Sequence, residues 1–222
     1  MAHRMTVVSP MALVVPPVDA AVARHWPEVQ KVYLIDESLY ADLGADRQIT
    51  AVQERRLDTL LHYAADCGAD GIVFAGSVFG APVAQARRTI GVPVFTAYEA
   101  MIEAAFAAGR RIGVLTTSPW TMQNITADIA AYASEHGITG YELVKTVDEA
   151  ARPMILDGDL VGHDRKVAAT ARGMADVDVL ILGQFSMGTA AAEIRKDGGR
   201  PVLTAPETAV QAMRRRLEGT PS

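Results

Sequence analysis

Displaced by 108 positions, the chain reads onto itself. Residues 70–99 and 178–207 align without a gap and agree at ten of thirty positions. The identities are Asp70/Asp178, Gly80/Gly188, Ala84/Ala192, Arg87/Arg195, Gly91/Gly199, Pro93/Pro201, Val94/Val202, Thr96/Thr204, Ala97/Ala205 and Glu99/Glu207. Most other pairs are conservative, such as Ile72 with Leu180 and Arg88 with Lys196. A weaker echo joins RMTVVSPM (4–11) to RIGVLTTSPW (111–120). The competing reading is that two β-α-β units look alike because both obey the same packing rules. That reading accounts for the apolar matches but not for Arg, Thr and Glu at matched offsets.

Within this frame, short apolar runs alternate with helical ones. MTVV (5–8), VYLI (32–35), GIVFA (71–75) and PVFT (93–96) read as strands, as do residues 110–117, YELVK, VDVLIL (177–182) and PVLT (201–204). Residues 50–66 put Val52, Leu57, Leu60 and Leu61 on one helical face. Further helices are expected over roughly 81–90, 97–109, 119–137, 147–156, 163–175 and 189–196, with a last one ending near Leu217. Pro119 after Ser118 suits a helix start, because proline is tolerated at the first helical position. Alternating strands and helices imply parallel sheets covered on both faces. The expected fold class is α/β, built as two pseudo-symmetric flavodoxin-like halves. One lobe is expected over residues 1–95 plus 205–222, the other over 96–204. In such sheets ligands bind outside the carboxyl ends of the strands. The segments FAGSVFG (74–80) and LGQFSMG (182–188) are placed there, and are expected to face one interdomain cleft.

Bulk properties exclude other classes. The 222 residues are half hydrophobic and a fifth charged, with a net charge of −5 and no basic stripe, so nucleic acid is not an expected partner. The opening MAHRMTVVSP lacks a signal-peptide core, and no apolar run reaches the ~18 residues that span a bilayer. A single cysteine, Cys67, provides neither a disulfide framework nor a metal cluster. The expectation is a cytoplasmic protein that meets no membrane and handles a small molecule.

At the strand ends the chain offers hydroxyls, amides and backbone N–H groups rather than strong acids and bases. The candidate binding residues are Ser9, Gly76, Val78, Thr116, Thr117, Phe185 and Ser186. Donors of this kind suit a carboxylate or an oxyanion. Ser77, Ser118 and Ser186 can equally be N-caps of the helices that follow. Glu99 and Glu207 each lie three residues after a threonine, as Glu149 does after Thr146, a spacing that fits capping boxes. Asp36 and Glu37 end the second strand. There a carboxylate can serve as general acid or base, or be a solvated charge in a turn. Tyr98 fits either a pocket phenol or a core aromatic. His163 is suited to proton transfer near neutral pH, whereas the adjacent Asp164 also reads as a helix start signal. Cys67 precedes its strand, at the edge opposite the expected site.

Taken together, IDESL (35–39), GADGIVFAGSVFG (68–80), GVPVFTAYEAM (91–101), GRRIGVLTTSPWT (109–121), DGDLVGHDR (157–165), VDVLILGQFSM (177–187) and RPVLTAPETAV (200–210) resemble the aspartate/glutamate racemase superfamily. That group includes hydantoin and allantoin racemases, maleate isomerase and arylmalonate decarboxylase, and the resemblance covers nearly the whole chain. It implies a small-carboxylate ligand, no pyridoxal, metal or other cofactor, and a homodimer or higher homo-oligomer. It also implies two cysteines, one after each repeated strand, that remove and deliver a proton on opposite faces of the substrate. Their positions align with Gly76 and Gln184, neither of which transfers protons. The histidine that follows the second cysteine in part of the superfamily is replaced by Phe185.

Three readings follow. The first is an enzyme on a small carboxylate or cyclic amide, by decarboxylase, lyase or hydrolase chemistry, with Ser77, Gln184 and either Glu37 or His163 as catalytic residues. The second is a homologue that binds a carboxylate without turnover. The third is a racemase or isomerase with an atypical acid/base pair, which would need two titratable groups opposed across the substrate.

Overall fold

A computed structural model describes residues 2–44 and 48–219. It divides into two compact units, Met1–Ala97 with Ala209–Ser222, and Tyr98–Thr208. The first carries strands β1 (Arg4–Ser9), β2 (Gln30–Ile35), β3 (Gly71–Phe74) and β4 (Val94–Phe95). Its helices are α1 (Val15–His25), α2 (Ser38–Ala41), α3 (Ala51–Asp66) and α4 (Gly80–Ala86). The second carries α5 (Glu99–Ala108), β5 (Arg111–Thr116), α6 (Pro119–Glu135), β6 (Glu142–Val147), α7 (Ala151–Leu156), α8 (Leu160–Arg172) and β7 (Val179–Leu182). A 3-10 helix (Phe185–Ala190), α9 (Ala191–Arg195) and β8 (Val202–Thr204) follow, and α10 (Ala205–Glu218) returns the chain to the first unit.

Both sheets are parallel and four-stranded, ordered β2-β1-β3-β4 and β6-β5-β7-β8. The repeat survives in the register. Ile72 pairs with Val94, and Leu180, 108 positions later, pairs with Val202. Asp70 accepts the Arg4 N–H at 2.7 Å, and Asp178 accepts the Arg111 N–H at 2.8 Å. The matched aspartates therefore clip the amino end of each first strand, a task set by backbone geometry. Central β3 and β7 are buried along their length, as strands covered on both faces must be, whereas no residue of edge β2 or β6 is buried.

Local chemistry sets the helix starts. Thr50 and Gln53 form a reciprocal capping box at α3, with Thr50 N–H donating to Gln53 Oε1 at 2.8 Å. In the first unit Leu57, Leu61, Ile72, Phe74 and Phe79 fill the core. In the second, Leu115, Val167, Leu180, Leu182 and Met187 do so. Each such burial contributes roughly 1.5–3 kcal/mol.

The elements depart from expectation in several places, among them α2, which the sequence did not suggest. Helix α1 is not among the expected helices; Pro16 and Pro17 sit in its first turn, where no backbone N–H is needed. Helix α8 begins at Leu160, capped by Asp159 accepting the Gly162 N–H at 2.8 Å, so Asp164 is not its start signal. Helix α7 begins at Ala151 with Ala150 in the cap position, so Thr146 and Glu149 form no capping box. Among the described residues no helix is long and apolar enough to cross a membrane.

Candidate functional site

In each sheet the chain leaves the first strand toward one edge and returns on its other side. The switch points therefore lie between the carboxyl ends of β1 and β3, and of β5 and β7. Ser9, Gly76, Ser77 and Val78 lie at the ends of β1 and β3, and Thr116, Thr117, Gln184, Phe185 and Ser186 at the ends of β5 and β7, whereas Glu37 follows edge strand β2 and His163 lies in α8.

In the second unit, Thr116, Thr117 and Ser118 are buried between β5 and α6. The Thr116 hydroxyl donates to the Ser118 carbonyl at 3.1 Å and holds the turn. Ser118 occupies the N-cap position of α6, but its side chain makes no capping bond. Thr117 spans the switch point: its backbone N–H and its hydroxyl donate to Gln184 Oε1 at 2.7 and 2.9 Å. A backbone N–H can only donate, so the side-chain atom facing it must be the amide oxygen. Both lone pairs of that oxygen are then engaged, and the Gln184 NH2 group has no partner among the described residues. Gln184 itself is half-buried and extended, at the cap of the 3-10 helix that contains buried Phe185 and Ser186.

The backbone around it is tightly fixed. The buried Tyr98 hydroxyl donates to the Gly183 carbonyl at 2.7 Å, so Tyr98 is a core aromatic whose polar tip anchors this loop. A Cβ at Gly183 would come within 2.7 Å of Thr116 Cγ2, so only glycine lets the two strand ends approach.

His163 lies in the first turn of α8 with its ring wholly buried. Its Nδ1 is 2.9 Å from Asp164 Oδ1, which also accepts the Thr189 hydroxyl at 3.0 Å. Nδ1 carries a proton to meet a carboxylate, and in the neutral ring the lone pair is then on Nε2. That atom is buried and has no partner among the described residues.

Sequence reasoning missed Asp148. It follows β6 directly, is buried, and accepts the Thr170 hydroxyl beside Lys166 Nζ at 3.6 Å. A signal existed: Ile35-Asp36-Glu37 and Val147-Asp148-Glu149 end the second strand of each half. The Asp148 N–H donates to Thr116 O at 2.8 Å, as the Asp36 N–H does to Ser9 O at 3.0 Å. Asp128 in α6 was also overlooked. Burial, reinforced by the Glu99 carboxylate, pushes its carboxyl up to about 6.

In the first unit Ser9 is fully buried, donating to the Met11 and Ala75 carbonyls at 3.0 and 3.2 Å. Its hydroxyl, like that of Thr116, shapes the loop. Gly76 is buried, and a Cβ there would lie 2.6 Å from the Phe74 ring and 3.0 Å from Pro10. Ser77 and Val78 are half-buried. Helix α4 starts at Gly80 with Phe79 at its cap, so Ser77 is not an N-cap, and Ser186, inside the 3-10 helix, is not one either. Neither hydroxyl has a partner among the described residues. Asp36 is partly desolvated, but hydrogen bonds from Ser38 and the Arg56 guanidinium outweigh that and hold it below its usual range. It is a turn and ion-pair residue. Glu37 is exposed at the cap position of α2.

Glu99 is the first residue of α5, whose cap position is held by Tyr98 and not by the expected Thr96, whereas Glu207 is structural. Thr204 accepts the Glu207 N–H at 3.3 Å, while the Glu207 carboxylate takes the Arg195 fork. Cys67 is exposed at the end of α3, before β3. Among the described residues no three His, Cys, Asp or Glu side chains gather as metal ligands.

A family model described as Asp/Glu/Hydantoin racemase matches residues 12–213. No curated protein matches the chain in sequence. Among solved structures, allantoin racemase from Klebsiella pneumoniae is 20% identical with a TM-score of 0.72, over 98% of this chain and 88% of that one. Glutamate racemase from Thermus thermophilus is 20% identical with a TM-score of 0.68, over 98% and 81%. Arylmalonate decarboxylase is 19% identical with a TM-score of 0.64, over 99% and 94%. At these identities the likeness is one of fold.

Proposed function

Because the chain belongs to the Asp/Glu/Hydantoin racemase family, we propose that it takes a small carboxylate, or a related cyclic amide, and acts on it without a pair of thiols. The observation that carries this reading is the pinned amide of Gln184. Two bonds from Thr117 fix the oxygen inward and leave two N–H donors at the β5/β7 switch point. Such donors bind a carboxylate or stabilise a developing oxyanion, but they neither remove nor supply a proton.

The resemblance puts the two proton-transferring cysteines at Gly76 and Gln184. Gly76 adds support, since Phe74 and Pro10 occupy the space a side chain would need. Two-sided proton transfer then has no carrier at either position. Decarboxylase, lyase or hydrolase chemistry needs only an oxyanion site and at most one proton relay. His163, whose buried Nε2 has no partner among the described residues, is the relay candidate of the second unit. Ser77 presents a hydroxyl at the matching edge of the first unit, and exposed Glu37 is the weaker acid candidate there. Allantoin racemase and arylmalonate decarboxylase, by their names, act on small carbonyl compounds, which agrees with this ligand class. Binding without turnover is the second reading, favoured by the absence of a titratable proton on Gln184.

The test is Gln184→Glu. The variant keeps an acceptor facing Thr117 but replaces the outward NH2 with a carboxylate oxygen. Loss of a charge-assisted hydrogen bond, about 1.5–3 kcal/mol, weakens malonate or phenylmalonate binding roughly tenfold or more in calorimetry. Equal affinity of variant and parent defeats the proposal. Incubation in D2O with phenylmalonates, hydantoins and 2-substituted acids separates the readings. Deuterated decarboxylated product supports the enzyme, binding alone supports the second reading, and α-deuteration with loss of optical activity revives a racemase.

A further inference from the structure

The segment 183–190, which carries Gln184, is tied down by side chains from three separate elements. Tyr98, at the start of α5, holds the Gly183 carbonyl at 2.7 Å, and Thr117, after β5, holds the Gln184 amide oxygen. At the far end, the Thr189 hydroxyl donates to Asp164 Oδ1 of α8 at 3.0 Å. Helix α8 packs on this segment, and beneath the bond Val167, Ala168 and Ala171 meet Met187, Ala190 and Ala191 in one apolar cluster. The third tie depends on His163. Its buried ring cannot turn freely, and its Nδ1–H at 2.9 Å fixes the Asp164 oxygen that receives Thr189.

We infer that His163 and Asp164 form a positioning clasp, holding the 3-10 helix against α8 and so setting the direction in which the Gln184 NH2 group points. His163 acts here through Asp164 and Thr189. The inference rests on the reading of Gln184 as the anion-gripping residue, but its first readout is independent of any ligand.

Thr189→Val keeps the shape of the side chain and removes only the donor, and Asp164→Asn keeps its size while removing the charge. In ¹H–¹⁵N spectra of the full chain, both variants shift or broaden the Gln184 side-chain NH2 signals and the backbone amides of 184–190. Arg172→Ala, on the exposed side of the same helix, leaves those signals in place. Malonate binding weakens about fivefold in Thr189→Val, because the Gln184 NH2 group is no longer held toward the anion. Unchanged Gln184 side-chain NH2 signals in both variants overturn the clasp, whatever malonate does. Shifted signals in a protein whose parent form does not bind malonate uphold the clasp and defeat the carboxylate reading instead.

Discussion

Asp128→Asn is expected to make the protein more stable at pH 8 and to leave it unchanged at pH 4. Asp128 sits ten residues into α6, partly buried, and its carboxyl titrates near 6 against an ordinary value of 3.8. Burial is the larger cause and the Glu99 carboxylate the smaller. Between pH ~4 and ~6 the folded protein keeps a proton that the unfolded chain has already lost, so wild-type stability falls as pH rises through that window and levels off above it. A shift of roughly two units corresponds to about 3 kcal/mol, and partial solvent access at the carboxyl trims this to about 2. Asparagine carries no charge to desolvate, so the variant loses this slope. For a chain of this size, 2 kcal/mol moves the midpoint of thermal unfolding by about 4–8 °C. Differential scanning calorimetry across pH 4–8 measures it. Glu99→Gln gives a smaller gain with the same pH dependence. A gain equal at pH 4 and pH 8, or none at pH 8, refutes the assignment of a desolvated, charge-opposed carboxyl.

Two further outcomes follow from the loop geometry. Gly76→Ala costs about 1–3 kcal/mol in denaturant unfolding, since its Cβ displaces the Phe74 ring or Pro10 from a packed core; for the same reason Gly76→Cys with Gln184→Cys gains no α-proton exchange on hydantoins or 2-substituted acids. Tyr98→Phe leaves the Gly183 carbonyl unpaired and lowers stability by about 1–3 kcal/mol, read as an earlier urea midpoint with an unchanged slope.

The strands and the doubling of the sheet were legible because both are written in local pattern: apolar runs, and Asp70/Asp178 at one offset. The aspartates mark the amino ends of β3 and β7, and that task fixes residue type. Helix α1 carries an ambiguous signal, since a Pro-Pro pair breaks a helix in its interior but suits its first turn. The candidate binding residues are placed by the sequence at or just after the strand ends, but their partners could not be read. Ser9 and Thr116 turn inward to carbonyls, whereas Ser77 and Ser186 do not, and that difference depends on which backbone atoms lie within hydrogen-bond reach in space. The tie between Thr117 and Gln184 joins positions 67 apart, beyond the reach of any periodicity. Asp148 was missed for the opposite reason. It was visible as the second of two Asp-Glu pairs, but a capping box predicted over it drew attention to Thr146 and Glu149 instead.

The register of the two halves records how such a chain can change length. Arg4 in β1 corresponds to Arg111 in β5, an offset of 107; Gln30 in β2 to Glu142 in β6, an offset of 112; Gly71 in β3 to Val179 in β7, an offset of 108. The second half has thus gained five residues between its first two strands and given back four before the third. All of these insertions and deletions fall in the helical connections, yet the turn bonds at the strand ends recur: Ser9 to Met11, and Thr116 to Ser118. The carboxyl edge is therefore insulated from length changes elsewhere. The helical crossovers are the segments to lengthen, shorten or exchange between halves when this scaffold is redesigned, and the strand-end turns are the ones to leave untouched.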